Sequence, residues 1–274
     1  MKKFRNVDPS LIPYYEPHKE VDFSFEFDSK IWNNFENKKA LFLWWSSDFD
    51  IKTPTNWWYL IKERPFIKEE LHDSTNRNIR KALKRCQVKI IDPLLYRDEL
   101  YSCYNDALKR YGGYKERIDK TNFIKKLESD VNNKLEYWGA FSNQDNKLIG
   151  YMSVILFEES VEFDVAKFST EHLNLRPSDA IYATVLDNYL NQREYKYVCS
   201  GSRSINPFTN TQDYKERTFG YRKAYCNLHL FFNPKYVWLI NLLYPFRKIL
   251  IHLDFISFFH RYNKALRIKE ISKE

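Results

Sequence analysis

Glycine, methionine and cysteine are scarce in this chain, which contains six, two and four of them in 274 residues. The cysteines Cys86, Cys103, Cys199 and Cys226 are too sparse for a disulfide scaffold, and no two form a C-x-x-C pair. The sequence therefore contains no zinc or redox motif of that kind. We expect reduced thiols in a cytoplasmic protein, with Cys199 and Cys226 packed as core residues of strands.

Several catalytic and binding motifs are also missing. The sequence has no P-loop, no G-x-G-x-x-G motif, no H-E-x-x-H motif and no Cys-His or Ser-His nucleophile pair. The six histidines are scattered, so we predict no metal site. No run reaches about 18 uncharged apolar residues, which argues against a spanning helix. The basic N-terminal segment lacks the apolar core of a signal peptide.

The composition is that of a globular protein, with 43% hydrophobic and 29% charged residues. Aromatic residues make up 18% of the chain, which indicates an aromatic core. The net charge of +8 favours anionic partners such as phosphorylated cofactors, nucleic acid or acidic lipid surfaces. A modest positive excess is also common in soluble proteins, so the charge does not choose among these partners.

The first third of the chain predicts two strands and a basic helix. Aromatic and β-branched runs at 40–45 and 57–63 flank a polar connection, which is typical of a long hairpin. A helix follows from Ser74 or Thr75, either of which can cap it. Its basic face is either solvated or binds anions, and consists of Arg77, Arg80, Lys81, Lys84 and Arg85.

The middle of the chain predicts an alternation of helices and strands. After a short strand, "QVKIID", a helix is stopped by Gly112 and Gly113, and another begins near Asp119 or Thr121. Three strands with turns at "SNQDNK" and "EES" then form an antiparallel meander.

The next segment continues the pattern to residue 232. A helix begins at Pro177, which suits a first helical turn, and a strand, "YKYVC", follows it. A short helix ends at Gly220 and leads into the last strand. The predicted order over 87–232 is β-α-α-β-β-β-α-β-α-β.

The C-terminal tail predicts two amphipathic helices joined at Pro245. These helices either pack on the domain or lie on a membrane or partner surface through aromatic side chains and flanking lysines and arginines. The second reading implies peripheral contact at the inner face of the membrane. We therefore divide the chain into a strand-rich extension at 1–86, a central domain at 87–232 and an amphipathic tail at 233–274.

The order of elements in the central domain resembles the GNAT acyltransferase fold. The segments "STNRNIRKALKRCQVKI", "LRPSDAIYATVLDNYLNQREYKYVCSGSR" and "TNTQDYKERTFGYRKAYCNLHLFF" resemble Fem-like GNAT proteins, the relatives of peptidoglycan bridge-forming aminoacyltransferases. The resemblance covers about 74–232. It implies a mixed α/β fold with a mostly antiparallel central sheet, splayed strands and flanking helices, and residues 1–86 as a degenerate first repeat.

The resemblance also implies a function. A GNAT protein is expected to move an acyl group from acyl-CoA, such as acetyl-CoA, to an amine, here a small molecule or an amino sugar in cell-surface polysaccharide synthesis. Fem-like transferases use aminoacyl-tRNA as donor, which is the first alternative. A non-catalytic binding or membrane-associated protein is the second.

By the same resemblance, the helix that begins near Pro177 would receive the pyrophosphate of an acyl-CoA, because a helix N-terminus binds anions. The segment "LNLRPSDA" departs from the family by lacking glycines, and Asp179 would either oppose an anion or cap the helix. The expected cofactor-binding residues are Arg176, Ser178, Phe168, Ser169, Asn206 and Asn210.

Acyl transfer to an amine needs a polarised carbonyl, a group that takes the amine proton and an acid for the leaving group. Glu162 and Asp164 are base candidates, since two residues apart on a strand they would share a face; otherwise they form a solvated edge. Tyr214 is the acid candidate that the resemblance implies; otherwise it is a packing residue. Expected substrate-binding residues at the strand end are Ser200, Ser202, Arg203 and Gln212. Two tryptophans, Trp57 and Trp58, either stack on an acceptor or pack in the core.

Overall fold

In a computed structural model of the chain, the described residues are 4–20, 29–33, 38–110, 117–205 and 211–273. The cofactor candidates Asn206 and Asn210, and the predicted helix stop at Gly112 and Gly113, lie outside these residues. The chain forms two compact units. Unit 1 comprises Met1–Tyr59, Ser202–Thr209 and Lys223–Glu274, and unit 2 comprises Leu60–Gly201 and Asn210–Arg222. The division at residues 86 and 232 stays a prediction.

The strands in chain order are β1 (Phe4–Val7), β2 (Ser10–Pro13), β3 (Phe42–Ile51), β4 (Trp57–Glu63), β5 (Cys86–Ile91), β6 (Glu136–Ser142), β7 (Leu148–Leu156), β8 (Ser160–Phe168), β9 (Tyr197–Ser202) and β10 (Arg222–Phe232). The α-helices are α1 (Asp73–Arg85), α2 (Arg97–Leu108), α3 (Lys120–Asn132), α4 (Pro177–Leu186), α5 (Thr211–Phe219), α6 (Pro234–Leu243), α7 (Arg247–Leu250) and α8 (Ser257–Ile271). A π-helical turn, Asp187–Gln192, extends α4.

In unit 1, β1 and β2 are antiparallel, β2 and β3 are parallel, and β3 pairs antiparallel with β10. The predicted hairpin of two consecutive strands is therefore wrong, because the partner of β3 comes from the far end of the sequence. β3 also runs past the predicted end at residue 45, through a polar segment whose side chains alternate between half-buried and exposed.

In unit 2, β5, β6, β7 and β8 form the antiparallel meander that the turns predicted, and β9 joins β8 in parallel. The apolar sides of α2 and α3 pack on this sheet, where Leu100, Phe123, Leu127 and Tyr137 are buried in one cluster. The mixed α/β class with a mostly antiparallel sheet and flanking helices is confirmed.

The helix ends follow local chemistry. Asp119 caps α3 by accepting the backbone N–H of Asn122, as predicted. The cap of α1 is His72 rather than Ser74 or Thr75, because the His72 ring, two residues before Ser74, accepts the Ser74 backbone N–H. Pro177 occupies the first turn of α4, where its missing N–H costs nothing.

The tail has three α-helices instead of two. α6 ends at Leu243, and Pro245 lies in a 3-10 turn, Tyr244–Phe246, that leads into α7. Pro245 has no backbone N–H to donate to the carbonyl one turn earlier, which explains the break. Within the described part of the chain, no helix is both long and apolar enough to cross a membrane.

Candidate functional site

The parallel strands β8 and β9 pair over only three residues and then separate. Ser160, Val161 and Glu162 face Tyr197, Val198 and Cys199, and the ladder ends there although β8 continues for six more residues. The predicted splayed strands are therefore present. Past the last pair, the described residues of the two strands do not pair with each other.

A lysine that the sequence analysis did not select lies at the point of separation. Lys215 of α5 is 6% exposed, and its ammonium contacts the Ser200 hydroxyl. The ammonium also lies 5.6 Å from the Phe163 ring centre and 5.4 Å from that of Tyr182. Phe163 and Ser200 are the first residues past the last β8–β9 pair. Lys215 therefore places a positive charge between the diverging strands.

Burial changes the acidity of this lysine. Desolvation lowers the pKa of Lys215 from its ordinary 10.5 to about 8. Among the described residues, no carboxylate forms an ion pair with it. Burying an ammonium without a carboxylate partner costs folding free energy. Ionisable groups with such shifted pKa values concentrate at functional sites.

Next to Lys215, Tyr214 belongs to a chain of polar contacts at the start of α4. The Tyr214 hydroxyl donates to Asp179, and the Arg176 guanidinium binds the same carboxylate at 3.2 Å. Burial, and then the nearby Asp179 charge, raise the pKa of Tyr214, and the Ser178 hydroxyl also hydrogen-bonds to it. The acid candidate is thus kept protonated and oriented toward Asp179.

The start of α4 carries a buried carboxylate. Asp179 is 5% exposed, and Arg176 holds the left-handed conformation (φ 61°) that turns the chain into the helix. The Asp179 side chain binds Arg176 and Tyr214 rather than serving as the helix cap. A carboxylate at this helix end repels the anion that the site would otherwise attract.

The end of β9 supplies other predicted substrate residues. Ser200 faces Lys215, whereas the Arg203 guanidinium donates to the Asn56 carbonyl at 2.6 Å. Ser202 and Gln212 are half-buried. Gly201 has φ 89°, which strongly favours glycine, and a Cβ there would meet no atom within 4 Å.

The shared strand face of Glu162 and Asp164 stays a prediction. β8 has a β-bulge at Asp164, since Phe163 pairs with Val154 and Val165 pairs with Ser153. Asp164 accepts from Ser153 at 3.2 Å and lies 3.8 Å from the Lys126 ammonium. Lys126 also binds the buried Asp130 at 2.6 Å, so Asp164 belongs to a polar cluster against α3.

The cofactor candidates at the end of β8 have protein partners. The Phe168 carbonyl accepts from Arg110 at 3.0 Å, and the Ser169 hydroxyl donates to Asp106 at 3.1 Å and contacts His172. Hydrogen bonds and Lys109 lower the pKa of Asp106 against the opposing and largest effect, desolvation. A groove of about 740 Å³ runs past Asp106, Ser169 and His172.

The remaining predictions concern tryptophans, cysteines and metals. Trp57 is a core residue that packs edge-on against Trp44 at 5.0 Å, whereas Trp58 is half-buried under the Lys223 ammonium. All four cysteines are buried, and none of them forms a disulfide. Within the residues that the structure describes, no cluster of histidine, cysteine or acidic side chains is arranged to hold a metal.

The architecture is similar to that of known transferases. The crystal structure of FemX aligns with a TM-score of 0.56 at 11% identity, over 86% of this chain and 85% of FemX. The fold is that of the Fem-like GNAT-type transferases. L-PGS from Bacillus licheniformis aligns at 0.49 and 12% identity, over 84% of this chain and 80% of its own.

A GNAT family acetyltransferase from Staphylococcus aureus aligns at a TM-score of 0.34 and 12% identity, over 46% of this chain and 93% of its own. No protein-family model and no curated protein matches the sequence. The fold is thus recognised through structure, and the Fem-like resemblance of the sequence is confirmed at the level of the fold.

Proposed function

We propose that this chain is an acyltransferase that joins an activated acyl group to an amine, with aminoacyl-tRNA as its donor. One observation carries the proposal: the ammonium of Lys215 is buried where β8 and β9 separate. A fixed positive charge in a water-poor cleft stabilises the oxyanion that forms when an amine attacks a carbonyl. The Fem-like fold supports the same reaction class.

The reaction needs no covalent enzyme intermediate. The acceptor nitrogen forms a bond to the donor carbonyl carbon, the ester bond to the ribose oxygen breaks, and the amine proton ends on the leaving hydroxyl. Lys215 would hold the oxyanion, and the Ser200 hydroxyl would orient the lysine. Tyr214 of α5 would hold the start of α4 in place through its hydrogen bond to Asp179. Asp164 is the candidate to take the amine proton.

The choice of donor rests on Asp179. A carboxylate that is 5% exposed at the start of α4 opposes a pyrophosphate at that helix end, and Pro177 removes one of its N–H donors. An acylated tRNA does not need this loop, and the exposed basic face of α1 and the net charge of +8 suit its backbone. The separation of β8 and β9 past Glu162 and Cys199 favours acyl-CoA as the second candidate, since a pantetheine arm could pair there.

For the acceptor, the resemblance implies an amine, with an amino sugar of cell-surface polysaccharide synthesis as the proposed class. Transfer of a radiolabelled aminoacyl group to a panel of amines, including hexosamines, tests this part separately from the donor.

Binding assays separate the donors. We expect saturable, salt-dependent retention of aminoacyl-tRNA on filters and no thermal stabilisation by acetyl-CoA, because only a ligand of the folded state raises the apparent stability. Stabilisation by acetyl-CoA that Arg176→Ala abolishes would reverse the assignment. If the protein binds neither donor, it is a binding protein that kept the fold, and the enzymatic proposal fails.

A further inference from the structure

The C-terminal tail presents apolar side chains outward. Trp238, Leu242, Phe246 and Ile249 follow one another at spacings of four, four and three, and all are exposed. Trp238 is 63% and Ile249 66% exposed, whereas Ile240, on the opposite side of α6, is fully buried. A surface helix normally turns its polar side to water. This helical segment packs one apolar side and exposes another.

The exposed set continues past α7. Phe255, Ile256 and Phe258 in the connection to α8 are also exposed, so seven large apolar side chains face outward between residues 238 and 258. We call these seven residues the outer stripe: Trp238, Leu242, Phe246, Ile249, Phe255, Ile256 and Phe258. So many large exposed apolar side chains in one segment indicate an interaction site.

The surroundings of the outer stripe are cationic. Residues 234–274 contain eight lysines and arginines against three acidic residues. Lys235 and Lys248 are exposed at positions next to the stripe. A cavity of about 220 Å³ is lined by Lys248 and Arg267 and also by Asp254 and Glu270, whose carboxylates bind His260 and Arg247. Among the described residues, no acidic side chain pairs with Lys248 or Arg267.

We propose that the outer stripe and its cationic border bind the surface of an anionic phospholipid bilayer. Aromatic and aliphatic side chains beside lysine and arginine are typical of helices that lie in the membrane interface. The Lys248 and Arg267 side chains at the cavity match a lipid phosphate, and basic residues near an anionic leaflet add electrostatic attraction. A second copy of the same surface is disfavoured because both surfaces carry the same charge.

Vesicle co-sedimentation of the full chain tests the proposal. We expect binding to vesicles of phosphatidylcholine and phosphatidylglycerol to exceed binding to phosphatidylcholine alone by roughly tenfold, and to weaken with salt. The stripe variant Trp238→Gln/Phe246→Gln/Ile249→Gln should lose at least about tenfold on both vesicle types, because apolar insertion drives interfacial binding. The charge variant Lys248→Glu/Arg267→Glu should lose binding only to the anionic vesicles.

Matched controls lie in unit 2. Leu95→Gln removes an exposed apolar side chain, and Arg97→Glu/Lys125→Glu reverses two exposed charges. Neither should change the partition coefficient by more than about twofold, which excludes a general effect of charge. Equal effects of the control and tail variants, or no binding of the unaltered protein, would overturn the proposal. A stable dimer without vesicles that the stripe variant disrupts would instead assign the stripe to self-association. The stripe variant should still retain aminoacyl-tRNA on filters. A loss of vesicle binding can then be told apart from a failure of the proposed reaction.

Discussion

Unit 2 buries an ammonium among aromatic rings, and unit 1 exposes aromatic rings to solvent. Lys215 is 6% exposed and Trp238 is 63% exposed, the reverse of what hydrophobicity favours for each. The buried lysine costs folding energy, whereas the exposed tryptophan leaves hydrophobic stabilisation unused. The two deviations differ in kind: the first is suited to chemistry on a small group, and the second to a large apolar partner.

The largest effect is expected from removing the buried charge. Lys215→Met should lower kcat by roughly 100- to 1,000-fold, the loss typical of one oxyanion-stabilising group. The same variant should unfold at a higher temperature, because it no longer buries an ammonium. Steady-state kinetics and thermal unfolding, with Lys125→Met on the exposed side of α3 as control, measure both. If Lys215→Met lost both activity and stability, Lys215 would be a structural residue rather than a catalytic one.

The pH dependence of stability tests whether the pKa of Lys215 is lowered in the folded protein. The folded pKa of Lys215, about 8, lies below the unfolded value of 10.5. Between these values the unfolded chain holds the proton more tightly, so the contribution of Lys215 to stability rises with pH. It is complete above 10.5, and it is lost as the pH falls through 8.

We therefore expect Lys215→Met to be more stable than the unaltered protein at pH 7, by at most about 3 kcal/mol, and the gap to narrow toward pH 10. Urea unfolding of both proteins at pH 7, 8.5 and 10 measures the gap. Buried tyrosines and cysteines titrate in both proteins, so their effects cancel in the difference. A gap that stays constant with pH would contradict a lowered pKa.

A smaller effect is expected beside the lysine. Asp179→Ala leaves the buried Tyr214 hydroxyl without its carboxylate acceptor and should cost about 1–3 kcal/mol. Tyr214→Phe should cost less, because Arg176 still binds Asp179. In a double-mutant cycle by urea unfolding, the two changes should couple by at least about 0.5 kcal/mol. Strict additivity would mean that the hydrogen bond contributes nothing.

The smallest effect is expected at the exposed Trp238 of unit 1. Trp238→Gln should change the free energy of unfolding by less than about 0.5 kcal/mol, since the ring is already in water. Ile240→Ala, two residues along the same helix but fully buried, should cost about 2–5 kcal/mol. Chemical denaturation of both variants checks the contrast. A large loss for Trp238→Gln would show that the ring packs within the protein.

The secondary structure of unit 2 could be predicted because its signals are local. Asp119, Pro177 and Gly220 mark the ends of α3, α4 and α5 by their own backbone chemistry. The pairing of β3 with β10 could not be predicted, since it joins strands almost 180 residues apart. Nothing in the local run at 40–45 distinguishes that partner from the next strand along the chain.

The site was predicted only in part for a related reason. Ser200 and Tyr214 were selected from the polar loop and helix, but Lys215 was not. One signal was available: Lys215 precedes the buried Phe219 by four residues, so the two share a helix face. The coupling of Arg176, Asp179 and Tyr214 joins two helices, and no spacing along the sequence reveals it.

The outer stripe has a kinetic consequence if it holds the chain on a bilayer. Diffusion of a bound protein is then confined to two dimensions, and its encounter with any lipid-linked acceptor depends on the number of acceptors per unit of membrane area. Diluting the acceptor with inert lipid would slow the reaction, whereas diluting the vesicle suspension would not, provided that the protein stays bound.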